Sequence, residues 1–184
     1  MIAAETVIHC TQRWLDDVVI KYNFCPFARF VREPDSIHYQ VCSQSAAEAA
    51  LEQLYVECAR LDEESHISTT LFILPQGFDN FDDYLDLLEL AQELMTTWGY
   101  DGVYQLASFH PQYCFAGEAV TSPTHYTNRS PFPILQLIRE ADITRALKDF
   151  GDPQTIYTNN MQTTTQLGAE HFANLLAACK AKKQ

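Results

Sequence analysis

The chain has 184 residues, 47% of them hydrophobic, which suits one globular domain over residues 1–184 with a real core. Its 24 acidic residues against 12 basic ones give a formal net charge of -12, which would repel a phosphate backbone and excludes nucleic acid as an expected partner. No apolar run is long enough to span a bilayer, and Met1 to Glu5 has no basic or long apolar segment, so the expectation is an untargeted cytoplasmic protein without a membrane partner.

Val7, Thr11, Trp14, Leu15, Val18 and Tyr22 recur at helical spacing and predict a first helix from about Ala4 to Tyr22. Asn23 and Phe24 break it. Cys25-Pro26 then reads as the N-cap and first position of a short helix ending at Val31, and Glu33-Pro34-Asp35 as a turn. Ile37 to Cys42 alternates like a half-buried strand, and Ser45 to Leu61 is Ala- and Glu-rich and helical. Ser68 to Leu74 is apolar on both faces, as a central strand would be. A helix from Asp79 to Trp98 turns Phe81, Leu85, Leu88, Ala91, Met95 and Trp98 inward, and Gly99 ends it. Val103 to Phe109 is a third strand.

A polar, aromatic-rich connection of about twenty residues follows, longer than most structureless loops in compact domains. Ser130 reads as the cap of a helix from Pro131 to about Phe150, stopped by Gly151. Asp152-Pro153 starts another helix, although its Thr- and Asn-rich middle, Thr155 to Thr165, has poor helix propensity. Ala169 to Ala181 is plainly helical. The basic tail Lys180, Lys182 and Lys183 reads as a solubilising end.

Two β-α-β units imply parallel neighbours with right-handed crossovers. The fold class is therefore α/β: a single-domain sandwich with a small, mainly parallel sheet of three to four strands covered by helices. A fourth short strand is expected near Tyr113 to Ala116. Ligands in such sheets gather beyond the carboxyl ends of the strands, here Cys42-Ser43-Gln44, Pro75-Gln76-Gly77 and His110-Pro111.

The chemistry concentrates in the same region. His110, at a strand end, could move a proton, or its two nitrogens could pin the long loop to backbone groups. Arg129 before a helix start could hold a carboxylate or phosphate, or pair with an acid such as Glu118 while Asn128 and Ser130 cap the helix. Cys25, at a helix N-terminus with Arg29 and Arg32 on the next turns, could ionise easily and act as a nucleophile, or be a plain core thiol. Tyr113 and Asn23 complete the candidate substrate-binding set with Asn128, Arg129 and Ser130.

Metal chemistry has a weaker signal. None of the six cysteines sits in a CxxC pair, and His110, Cys114 and His125 lack the spacing of a zinc site, so no metal and no cofactor is expected. Asp82-Asp83-Tyr84-Leu85-Asp86 matches a diphosphate-binding pattern. With Asp79, Glu89 and Glu93 it forms a helical stripe that reads as a solvated face instead.

At NFCPFA (Asn23 to Ala28), ASFHPQYCFAG (Ala107 to Gly117) and YTNRSPFP (Tyr126 to Pro133) the chain resembles a bacterial family catalogued as domain of unknown function 1415. The resemblance implies a small single-domain bacterial protein and assigns no activity or cofactor. It also implies His-Pro at the end of the second strand, where this chain has Leu74-Pro75, which counts against a two-histidine metal centre.

Two functions compete. One is a cytoplasmic enzyme acting on a small anionic molecule, with Arg129 holding the anion, His110 moving a proton and Cys25 as nucleophile or pocket wall. The other is a non-catalytic module that meets a protein partner through Tyr104, Tyr113, Phe115, Tyr126 and Phe132.

Overall fold

The structure is a computed structural model and describes residues 2–150 and 153–181. Gly151, Asp152, Lys182 and Lys183, which carry the expected helix stop, the next helix start and most of the basic tail, lie outside the described residues.

Helix α1 spans Ala4–Trp14 and buries Val7, Cys10, Thr11 and Trp14 on one face. The winding then widens to a π-helix over Leu15–Ile20, seen in the bond from Lys21 N–H to Asp16 O (3.2 Å). The extra residue per turn lets Leu15, Val18 and Val19 all reach the core. Asn23 leaves the helix with φ 55°, a left-handed conformation that asparagine tolerates better than most residues. Helix α2 is only Ala28–Arg32, so Cys25 lies ahead of its N-cap, Phe27, and the expected Cys25-Pro26 cap does not form.

The alternation of β1 (Ile37–Val41), helix α3 (Ala47–Glu63), β2 (Thr69–Ile73), helix α4 (Phe81–Thr97) and β3 (Tyr104–Phe109) follows the predicted order. Every residue of β2 is buried, as its two-faced apolar pattern requires. Asn80 caps α4 by accepting from the N–H groups of Asp82 (2.8 Å) and Asp83 (3.3 Å). Its inner face is Tyr84, Leu87, Ala91 and Met95; Leu85, expected inward, is exposed beside the acidic stripe.

The fourth strand is not near Tyr113. It is Ile134–Arg139, β4, inside the segment expected to be helical. Only Glu140–Phe150 of that segment is helix (α5), followed by α6 (Pro153–Leu167) and α7 (Ala169–Lys180). Ser130 therefore caps no helix. Its hydroxyl donates to Phe132 O and tightens the turn into β4.

The sheet order is β1-β2-β4-β3. β1 pairs parallel with β2, while β4 runs antiparallel between β2 and β3, with Ile134 opposite both Ile73 and Phe109. The second β-α-β unit thus joins strands of one direction that are not neighbours, and the sheet is mixed. Tyr84 locks this arrangement. Its buried hydroxyl donates to Ile134 O (2.7 Å) and accepts from Phe109 N–H (3.1 Å), joining the end of β3 to the start of β4.

A core lies on each side of the sheet. One holds Leu54, Leu61, Phe72, Tyr84, Leu135 and Leu137 beneath α3 and α4. The other holds Trp14, Val18, Leu71, Ile73, Ile134 and Phe172 beneath α1 and α7. Among the described residues, no helix is long and apolar enough to cross a membrane.

Candidate functional site

The carboxyl ends of β1, β2 and β3 meet at one sheet edge, where the chain itself fills the space. At Gly77, φ is +89° and a Cβ would fall 2.5 Å from Ser45 O, so only glycine lets the loops after β1 and β2 close on one another. Gln76 donates to Ser43 O across the same contact. The crevice that the strand-end rule singles out is thus sealed by backbone.

His110 closes the seal from β3. Its ring is fully buried against Phe81 and Tyr84, with centroids 5.1 and 5.0 Å away. Gln112 N–H donates to Nδ1 (3.0 Å), so the proton sits on Nε2, which donates to Phe78 O (3.0 Å). Burial pushes its pKa below the ordinary value, against the pull of the Phe78 carbonyl and of Asp79. Of the two roles expected for His110, this geometry serves the pinning one.

His125 repeats the device further along the loop. Phe115 N–H donates to its Nδ1 (3.2 Å), and its Nε2 donates to Ala119 O (2.8 Å) with Cys114 Sγ at 3.5 Å. Asn128 adds a third tie: its Nδ2 donates to Ser108 O (3.0 Å), and its backbone carbonyl accepts from His110 N–H (3.1 Å). Two buried histidines satisfied by backbone, with half-buried Asn128 beside them, hold this long connection in one shape.

Cys25 lies on the other side of the sheet, packed on the core of Trp14 and Phe172, while His110 packs on the Tyr84 side. Burial raises its thiol pKa above the ordinary value, and the N–H groups of Phe27 and Ala28 only partly oppose it. The arginines expected to lower it do not: Arg29 is exposed, and Arg32 pairs with Asp16 (2.9 Å) and Asp35 (3.4 Å). Neither observation favours the activated thiol. Asn23 is exposed and serves the left-handed turn.

Arg129 is half-buried. It rests its guanidinium over Tyr126 (4.7 Å) and donates from Nε to Tyr113 O (3.1 Å). It pairs with no carboxylate among the described residues, Glu118 included. Of the five loop aromatics expected at an interface, Tyr104 and Phe132 are core residues, and Tyr113, Phe115 and Tyr126 are half-buried.

What the three sequence motifs do share is a cleft of about 390 Å³. One wall comes from Phe27 of the first motif, Phe115 of the second, Thr127 and Asn128 of the third, and Thr124. The rest of the lining is Ile143 of α5 with Ile156, Tyr157, Asn160 and Met161 of α6. None of His110, Cys25 or Arg129 lines it, and among the described residues no lining side chain is charged. Of the expected site residues, Asn128 alone is in this wall. The α6 residues were missed; the signal there is a helix whose middle is rich in Thr and Asn, residues of poor helix propensity.

A family model described as "Protein of unknown function (DUF1415)" matches residues 6–174. Comparison with curated proteins and with solved structures gives no match.

Proposed function

The chain belongs to this DUF1415 family, and from its cleft we propose that it is a binding protein for a small uncharged molecule. The observation that carries this reading is the meeting of all three motifs and α6 around one cleft of about 390 Å³, within the size range of small-molecule sites. Catalysis by His110 and Cys25 finds less support, because the first has both ring nitrogens bonded to backbone and the second has a desolvated thiol. An anionic ligand finds less support as well, since no described residue of the lining is a cation. We place this activity in the cytoplasm, on the strength of six cysteines that all stand free of disulfides.

The test uses the methionines. Met161 is in the cleft wall, while Met95 is buried in the core under α3 and α4 and serves as an internal control. With 13C-methyl methionine labelling, small aromatic fragments should move the Met161 signal and leave Met95 in place. Met161→Trp, which fills the cleft, should abolish binding with the fold retained. Fragments that bind without touching Met161 would overturn the proposal.

A further inference from the structure

Two carboxamides line the cleft, and each is oriented by a bond from its amide nitrogen to a backbone carbonyl. Asn160 donates from Nδ2 to Phe24 O (2.9 Å), which ties α6 to the first motif. Asn128 donates from Nδ2 to Ser108 O (3.0 Å). Both acceptors are backbone carbonyls, so in each case the amide nitrogen must face that carbonyl and the orientation of the group is fixed.

A carboxamide has two N–H donors and an oxygen acceptor. Asn160 therefore keeps one N–H and its Oδ1, neither bonded among the described residues. Asn128 keeps one N–H, and its Oδ1 receives at most a share of the Thr127 hydroxyl proton, which also lies 2.9 Å from Thr124 O. Around them are Phe27, Phe115, Ile156 and Met161, which offer a flat or aliphatic partner surface and no charge. Groups whose orientation is set in advance lose little entropy when they bind.

We infer that Asn160 and Asn128 are the specificity-determining residues of the cleft, and that its ligand is a planar, uncharged molecule carrying an amide-type edge, a carbonyl acceptor beside an N–H donor. Asn160 presents the complementary pair: its N–H meets the ligand carbonyl and its Oδ1 meets the ligand N–H. Asn128, also in the lining, offers a second donor. The apolar side chains hold the ring. This rests on the cleft being the binding site, as proposed above.

Three probes of one shape separate the possibilities: benzamide, acetophenone and benzoate, in which a phenyl carbonyl bears NH2, CH3 or O⁻. Each is titrated against the full chain with the Met161 methyl as readout. Benzamide should bind tightest, about fivefold over acetophenone, the usual effect of one added hydrogen bond. Benzoate should bind weakest, because its charge would lose water without gaining a partner. Asn160→Leu should bring benzamide and acetophenone to equal affinity, acetophenone losing the one bond to its carbonyl and benzamide losing two.

Acetophenone equal to or tighter than benzamide on the wild-type protein would overturn the amide-edge assignment while leaving the cleft as the site. Benzoate binding tightest would overturn it in favour of a charge-reading site. The wild-type comparison stands even if Asn160→Leu fails to fold. If no probe moves Met161, the cleft reading itself falls, and that result is distinct from the other two.

Discussion

At His110 the ring donates through Nε2 and accepts through Nδ1, so protonation would break the bond from Gln112 N–H and place a charge where water does not reach. Its folded pKa lies below the unfolded value of about 6.5. Protons therefore bind the unfolded chain more readily, and the stability that neutral His110 contributes is present above pH ~6.5 and lost as pH falls through the lower folded value. Urea unfolding of the wild type should show this loss on acidification. His110→Gln should be roughly 1–3 kcal/mol less stable at pH ~7.5, with a flatter acid limb over that window. An unchanged acid limb in the variant would assign the loss to other groups. A strand-end histidine before proline looks the same in sequence whether it is a base or a pin. What decides is the carbonyl of Phe78, 32 positions away, which no local pattern displays.

Among the elements, β4 is where local reading and tertiary structure part. Ile-Leu-Gln-Leu-Ile-Arg is a short apolar run, and periodicity alone does not separate a buried strand from a buried helix. Asn128-Arg129-Ser130-Pro131 imitates a helix start, and the true helix α5 does follow, so the segment was legible as ordered and apolar but not as extended. The remaining strands and the long helices were legible because their patterns are long or strictly two-faced. Cys25 misled for a similar reason: Cys-Pro imitates a cap, whereas the neighbouring Phe24, buried in the core, sets the depth at which the thiol lies. Since β4 is bonded on both sides, the Leu135 and Leu137 amides should exchange with deuterium among the slowest in the protein, at rates set by global unfolding. Those of the edge strand β1 should exchange faster. Equal protection in β1 and β4 would contradict this placement.

For the whole molecule, a formal charge of -12 on 184 residues implies self-repulsion in the compact state. The exposed stripe of Asp82, Asp86, Glu89 and Glu93 along α4, with Asp79 just ahead of it, concentrates part of it. Salt screens such exposed charges, so raising potassium chloride to about 0.3 M should raise the urea midpoint. A fall would mean that attractive pairs such as Arg32–Asp16 outweigh the repulsion.

The strand order has a consequence for how the chain is made. Synthesis delivers β1, β2 and β3 first, yet the place between β2 and β3 waits for residues 134–139. Until they emerge, β2, apolar on both faces, has an open edge toward that gap, the kind of surface that recruits other chains. The ribosome thus releases β4 after both of the strands it lies between. The span from Thr69 to Ile134 is an interval during which a growing chain depends on chaperones or speed, and a chain cut short within it would be sticky rather than merely smaller.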